Sequence, residues 1–571
     1  MSDALLTGAS AGRAQRAETA ASGVLAGKRG RQVREALLAY LFLAPALIII
    51  FLFGLFPLAF SAYESTLTGL SRILGNYDGL GNYVKAMDSL AYVIAFWLAL
   101  ALLALAGRLV GLMIAQARLH RDRPWLVVAP AVASAVTLAL LTRFVFILLP
   151  ELLAISDKMR GLENRAEAFR VFLIQAFLTP AVLAALVNTI LALLAAGLLS
   201  AIVLRFARFG PRASGYFGRS LQAALLTIGG GALAWLTWLE VQKAFAAALE
   251  AGQPLALWSQ IVTVSAGLLL LLLGWLVWRG ASGRESNVGM AARLMAGAAL
   301  LVGAWVLIGE LPPAVAAGDD EWWRGLRATT YYALGTIPVE LIVALVLASL
   351  LFRGIHGKAI FRMVYFLPYI APFVGTAAAF RILFSGRASA PINAALGLVG
   401  IDPLTWLNEP AGIFQLIAGP NVVLPEWAVG PSLALVVIMI YGSWTFFGFN
   451  TVVFLAGLGS IPGELYEAAA MDGANRWAQF RHVTLPLLSP TIYFLTLWAI
   501  IGTFKAFNHI YVMRTAAALG TTDTASIVIF EAFKRDTRYG YASALAILLL
   551  LIILLLTAVN NRFASRRVFY G

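Results

Sequence analysis

The chain has 571 residues, of which 61% are hydrophobic and 12% charged, with a mean hydropathy of +0.85. An ordinary soluble domain carries roughly 45–50% apolar and about 25% charged residues, so this composition excludes a soluble globular protein and points to apolar runs of roughly 20 residues that cross a bilayer. The net charge of +14 falls mainly in short loops between apolar runs, a positive-inside pattern rather than a nucleic-acid-binding surface, and the absence of cysteine excludes disulfides, thiol catalysis and Cys-based metal sites.

Residues 1–35 read as a disordered basic cytoplasmic tail, with Arg13, Arg16, Lys28, Arg29, Arg31 and Arg34. The following apolar run, 36–62, is too long for a signal-peptide core and precedes no small-residue cleavage site, so it is expected to anchor rather than be removed. Twelve apolar spans follow from the pattern: 37–62, 90–117, 125–149, 171–204, 220–242, 258–278, 290–309, 329–352, 361–384, 431–457, 487–512 and 542–561. The fourth exceeds one bilayer thickness and is expected to tilt or extend beyond it.

Charge orients the spans. With the basic tail inside, the even-numbered loops are inside too. They hold Arg118, Arg121 and Arg123; Arg205, Arg208, Arg212 and Arg219; Arg279, Arg284 and Arg293; and Arg353, Lys358 and Arg362. The segment after the last span adds Arg562, Arg566 and Arg567, while one outside loop is acidic, with Glu310, Asp319, Asp320 and Glu321. The loop 150–169 is mixed, and 513–541 is slightly basic against the trend. Both termini are expected in the cytoplasm. Two connections exceed a simple turn: 385–430 outside, with five prolines (Pro391, Pro403, Pro410, Pro420, Pro425) and Trp406 and Trp427, and 458–486 inside.

The inside connection has its own local logic. Ser460 is placed to cap a helix whose first turn holds Pro462, where a missing N–H does no harm. Glu464 and Glu467 lie one turn apart, Ala468, Ala469 and Ala470 favour a slim helix, and Gly473 permits a stop. The product is a short helix beside the membrane, thin enough for another protein's cleft, with Glu467 suited to a basic partner there. The plainer reading is a short interfacial helix between two spans.

The stretch from Ser460 through Glu467-Ala468-Ala469 and Gly473 to Leu485-Pro486 resembles the EAA loop of ABC-importer permeases, whose pattern is E-A-A-x-x-x-G followed at a distance by L-P. Similarity to carbohydrate-type permeases extends to Trp322, Ala328-Thr329, Arg362 and Phe366-Leu367-Pro368-Tyr369, and to Trp444 through Asn450 with Leu455-Ala456-Gly457-Leu458. It includes Ile501-Gly502-Thr503-Phe504 with Phe507, Tyr539 through Ala544, Phe42-Leu43-Ala44-Pro45, and Gly79-Leu80-Gly81-Asn82-Tyr83, so that it covers 36–85 and 321–571.

The resemblance implies an all-α integral membrane fold of about twelve transmembrane helices. Its type I permease core comprises 36–83 (first span and following segment) and 321–571, with an inserted block of about six spans at 84–320. It implies that Glu464, Glu467, Ala468, Ala469, Asp472 and Gly473 couple the pore to a cytoplasmic ATPase. The implied partners are a second permease subunit, two ATPase subunits, an extracytoplasmic solute-binding protein and membrane lipid, in a bacterial or archaeal cytoplasmic membrane. No nucleic acid, metal or cofactor is implied. The insert departs from the family pattern, as does Ala516-Ala517-Ala518, where relatives often carry a Gly-Gly-Pro turn.

No G-x-x-x-x-G-K-[ST] phosphate loop occurs; Gly354–Lys358 lacks both the spacing and the Ser/Thr. The chain is therefore expected to be no enzyme, with ATP hydrolysis supplied by a partner. Ion-coupled secondary transport is the rival reading, since about twelve spans suits such carriers, but the EAA-type segment occurs once rather than in two similar halves. A membrane enzyme or scaffold is a third class, but no clustered carboxylates or histidines support it.

Matching to the family places Trp444, Phe449, Asn450, Phe504, Lys505 and Asn508 near the translocation path. Aromatic faces and amide donors suit the apolar CH faces and hydroxyl edges of sugar rings. The plainer readings are helix packing for Trp444 and Phe449, and for Lys505 either snorkelling or an ion pair with Glu340. Arg143 and Glu240, also in or near spans, are explained by pairing or interfacial positions. The four histidines (His120, His356, His482, His509) show no metal-ligand spacing and read as loop or helix-end residues.

Overall fold

The computed structural model describes residues 28–68, 76–161, 164–206, 212–252, 256–281, 287–352 and 356–564. Most of the basic tail, and the loop residues Arg208, Arg284, Arg353, Arg566 and Arg567, lie outside them. Among the described residues the secondary structure is helical, apart from two isolated bridges, Leu67 with Tyr77 and Gly412 with Ser432. This follows from the solvent: in hydrocarbon every backbone donor must be satisfied within its own segment, which a helix does. Among the described residues ten helices are long and apolar enough to cross a membrane, or twelve if two bent pairs each count as one span. That agrees with the expected dozen.

One compact unit ends at Tyr63. Its helix α1 (Lys28–Ile50) runs through a π turn, Phe51–Leu55, into α2 (Phe56–Glu64). The helix thus starts before the apolar run that prompted it.

The second unit, from Glu64 onward, holds everything else. It opens with α3 (Gly81–Met87), α4 (Leu90–His120), α5 (Trp125–Lys158), α6 (Arg165–Leu178), α7 (Pro180–Phe206), α8 (Ala213–Glu250), α9 (Ala256–Ala281) and α10 (Asn287–Ala316). Helix α4 packs along α8, α5 lies against both α7 and α8, and α9 pairs with α10. Gly267 and Gly303 let α9 and α10 approach until their backbones nearly touch, the small-residue packing that holds helices together where no hydrophobic force acts between them. The long fourth span is two helices. Thr179, extended at φ −55° and ψ 129°, separates α6 from α7, because a residue preceding proline avoids helical backbone angles.

Six of the ten candidate spans fall between Val84 and Asp320. The two ends of this stretch are adjacent: the Asp319 N–H donates to the Ala86 carbonyl at 3.2 Å. Around this junction two motifs become legible. Asn82 donates to the carbonyls of Ser65 (3.0 Å) and Leu67 (2.9 Å), and the Tyr83 hydroxyl bonds Ser65 at 2.6 Å. Tyr541 donates to Asp319, and Ser543 to Glu64 at 2.8 Å. The Gly79–Tyr83 and Tyr539–Ser543 segments are therefore parts of one latch.

The remaining elements are α11 (Asp320–Phe352), α12 (Lys358–Ile370), α13 (Phe373–Leu383), α14 (Pro391–Gly397), α15 (Ile413–Ala418), α16 (Leu433–Gly459), α17 (Gly463–Met471), α18 (Arg476–Gln479), α19 (Ser489–Phe504), α20 (Asn508–Met513), α21 (Ala525–Lys534) and α22 (Tyr539–Ala564). Helix α16 is the most enclosed span, with 61% of its apolar window buried, and α11, α12 and α19 pack on it. Two expected spans are bent. Helices α12 and α13 meet at 94°, and the stretch Arg476–Leu487 meets α19 at 63°. Prolines stand at both breaks, Pro372 in the first, Pro486 and Pro490 in the second, where each removes a donor and clashes with the preceding turn.

Helix α16 meets α12 through Gly448, where a Cβ would stand 1.9 Å from the Tyr365 carbonyl oxygen. Gly448→Val should force the two helices apart at a cost of about 1–3 kcal/mol. A lowered unfolding temperature of the detergent-purified protein is the expected result; an unchanged one would refute the close approach.

Candidate functional site

Two features stand out: the loop after α16 and a cavity between α11, α16 and α19. In the loop, Ser460 does not cap α17. Its hydroxyl donates back to the Gly457 carbonyl at 2.7 Å, and it closes α16. Pro462 occupies the N-cap position of α17 instead, with Glu464 in the first turn, where a carboxylate meets the positive end of the helix dipole.

The end of α17 is sharply defined. Gly473 has φ +83°, its N–H donates to Ala470 at 3.0 Å, and Ala474 donates to Ala469 at 2.9 Å. This pair of bonds is a Schellman stop, which needs a residue free to adopt the left-handed conformation. Asn475 then caps α18 by accepting from the Ala478 N–H at 2.8 Å. A π turn, Phe480–Thr484, follows.

The underside of the loop is anchored and its top is free. Tyr466 bonds Thr484 at 3.1 Å, and Ile461 and Leu488 are buried with Leu455, Leu458, Ala344, Ala348 and Leu351. Glu464, Glu467, Ala468, Asp472 and Gly473 are exposed, while Ala469 is half-buried. Three apolar side chains that sequence reading did not single out, Leu465, Met471 and Trp477, are exposed beside them, Met471 by 88%. Their signal was present in the sequence as apolar residues interrupting a polar loop.

The cavity has a volume of about 180 Å³. Phe373, Phe446, Trp498 and Phe507 give it aromatic walls; Glu340, Asn450, Lys505 and Asn508 supply polar groups. Glu340 is 3% exposed, and the Asn450 side chain lies against its carboxyl. No ion pair joins Lys505 to Glu340; Lys505 is exposed at the mouth beside Asn508.

Of the six residues matched to the path, Asn450, Lys505 and Asn508 line this cavity. The other three stand behind it or elsewhere. Trp444 packs against Phe380 at 5.2 Å, Phe449 stacks on Tyr369 at 5.0 Å, and Phe504 belongs to the cluster around Trp322 and Leu545.

Sequence reading missed His509 and Tyr332 as cavity residues. His509 is at the start of α20 but buried, with its ring nitrogen 2.8 Å from the Tyr332 hydroxyl and its ring 5.3 Å from that of Tyr441. Tyr441 in turn bonds Thr376 at 2.7 Å. This polar network ties α11, α13, α16 and α20 together, and nothing in the local sequence of a lone histidine announces it.

Residues 340–568 match the family described as binding-protein-dependent transport system inner membrane component. The chain is 34% identical over 258 residues to the probable ABC transporter permease protein YesP of Bacillus subtilis, spanning 44% of this chain and 75% of that protein. It is 28% identical to the trehalose/maltose transport system permease protein MalF of Thermococcus litoralis, over 42% of this chain and 73% of the relative. A chain in the crystal structure of a bacterial alginate ABC transporter is 21% identical, with a TM-score of 0.38, over 44% of this chain and 81% of that one.

The fold is that of a multi-pass helical membrane protein with a cavity between its spans and a helix presented from one loop. This chain belongs to the binding-protein-dependent ABC transporter permease family, as the transmembrane pore subunit of an importer. Such permeases are not enzymes; the ATPase lies in partner subunits.

The His509–Tyr332 bond gives a test of the cavity wall. His509→Leu leaves a buried tyrosine hydroxyl without its partner, which costs about 1–3 kcal/mol. Adding Tyr332→Phe should restore part of that loss, because two apolar partners leave nothing unsatisfied. Thermal unfolding of both variants decides the matter; additive losses would refute the bond.

Proposed function

We propose that this chain is one permease half of an ATP-driven importer of carbohydrates or related polar solutes. It works with a second permease subunit, two ATPase subunits and an extracytoplasmic solute-binding protein. It sits in a bacterial or archaeal cytoplasmic membrane with both termini inside. Helix α17 is its coupling helix. The observation that carries the proposal is the construction of the loop: Tyr466, Ile461 and Leu488 fix it to the core, while Glu464, Glu467, Leu465 and Met471 stand exposed, the two glutamates without an ion pair among the described residues. A rigidly based, solvent-facing helix with acidic and apolar groups fits a cleft in a partner that has a basic and apolar lining.

The mechanism is alternating access. ATP binding closes the ATPase pair, α17 moves with its cleft, and the Schellman stop passes that motion into the bent stretch before α19. Helix α19 carries Trp498, Gly502 and Thr503 of the cavity wall, and the turn after it carries Lys505 and Asn508. The polar groups Glu340, Asn450, Lys505 and Asn508 meet hydroxyls, and the aromatic walls meet the CH faces of a sugar ring. Relatives that transport maltose/trehalose and arabinooligosaccharides, by their names, support this substrate class.

The block 84–320 is, on this reading, an insertion. Its two ends meet in the Asp319–Ala86 hydrogen bond, and domains inserted into another fold characteristically have adjacent termini. Its six spans return the chain to the same side of the membrane.

Two tests follow. Glu467→Lys and Gly473→Val should leave the chain inserted but lower ATP-driven uptake of labelled oligosaccharide at least tenfold and weaken co-purification of the ATPase; normal uptake by both variants would end the coupling role. Replacing residues 88–318 by a short Gly-Ser linker should leave a permease that inserts and still binds its ATPase subunit. Loss of insertion on that replacement would show the block to be part of the core fold.

A further inference from the structure

The inserted spans contain a second cavity, separate from the one between α11 and α19. It lies at the end of the block where α5 begins, α7 ends and α8 begins. Its volume is about 210 Å³, and Val127, Pro130, Val203 and Phe217 wall it with Ser200 and Ser214. Ser200 spends its hydroxyl on the Ala196 carbonyl at 2.7 Å, whereas Ser214 is exposed with its hydroxyl free.

The charge around this cavity is predominantly basic. Arg123 lies one turn before Val127, Arg205 follows Val203, and Arg212 precedes Ala213. Arg123 and Arg205 are exposed and form no ion pair among the described residues. Arg118 and Arg121 are exposed on the same end of α4. The nearby acid, Asp122, is already engaged, accepting from the Tyr216 hydroxyl at 2.9 Å and pairing with Arg212 at 3.6 Å. Arg219 is held by the Gln116 amide oxygen.

We propose that this end of the inserted block binds an anionic phospholipid, with its phosphate held by Arg123 and Arg205 and part of one acyl chain in the cavity. The apolar walls give no purchase to a free phosphate ion. With Asp122 engaged, nothing there favours the ammonium of a zwitterionic headgroup. Exposed arginines within a turn of the residues that wall an apolar cleft between helices are the kind of arrangement that recognises acidic headgroups. The occupant's leaflet, the cytoplasmic one, rests on the orientation proposed above.

The test uses the full chain, purified with its partners and placed in nanodiscs of phosphatidylcholine with added phosphatidylglycerol. Native mass spectrometry then counts the lipid retained. Phosphatidylglycerol should be retained over phosphatidylcholine. The variant Arg123→Ala/Arg205→Ala should lower that retention roughly thirtyfold, since each basic group near a membrane surface contributes about a factor of five. Val203→Trp, which fills the cavity and leaves every charge, should lower it as well. Equal retention of the two lipids, or retention unchanged in both variants, would overturn the site. Orientation is read separately by His120→Cys, a unique thiol in a chain without cysteine. Labelling from outside the cell with retained phosphatidylglycerol would move the site to the other leaflet and sink the orientation; protection from outside without retention would sink the site alone.

Discussion

The packing of α11 on α16 is the contact on which the other parts depend. Along it Glu340 meets Asn450, two buried polar residues that would each be costly alone in a membrane. Tyr332 of α11 fixes His509 of α20 and lies against Gly442 of α16. At the far end of the same contact, Ala344, Ala348 and Leu351 bury Leu455, Leu458 and Leu488 and so hold the loop that bears α17. One helix pair thus forms a wall of the cavity and the base of the loop that bears α17. A displacement imposed on that base reaches the cavity through side chains already in contact.

Much of this was legible from residue order. Apolar runs marked the spans because lipid demands about twenty such residues in a row. The loop motif was legible because its parts act locally: three alanines, a glycine stop and a proline near the start. The bends were not, although their prolines were visible, since a proline inside an apolar run is compatible with a kinked span, a broken one or none. Ser460 shows the same ambiguity at smaller scale. A serine between two helices can cap the second or close the first, and here it closes the first. His509 and Tyr332 were illegible for a deeper reason: they are separated by 177 residues, and only tertiary packing brings them together.

Aromatic residues illustrate where family matching and geometry part. Trp444, Phe449 and Phe504 have the residue type expected of a sugar path, yet none lines this cavity: Trp444 and Phe449 stack on Phe380 and Tyr369, and Phe504 packs in the cluster around Trp322. The faces that do line it belong to Phe373, Phe446, Trp498 and Phe507. Aromatics are abundant in this chain, 12% of it, so residue type alone could not separate the lining from its support.

The junction at Ala86 and Asp319 has an evolutionary consequence. On the proposed reading of 84–320 as an insertion, these neighbouring backbone positions are the point where six spans joined the core. An even number keeps the sidedness of every later loop, so such an acquisition is silent to the machinery downstream. An odd number of extra helices at the same point would turn α17 to the opposite face of the membrane. Block sizes among permeases interrupted there should accordingly come in pairs of helices.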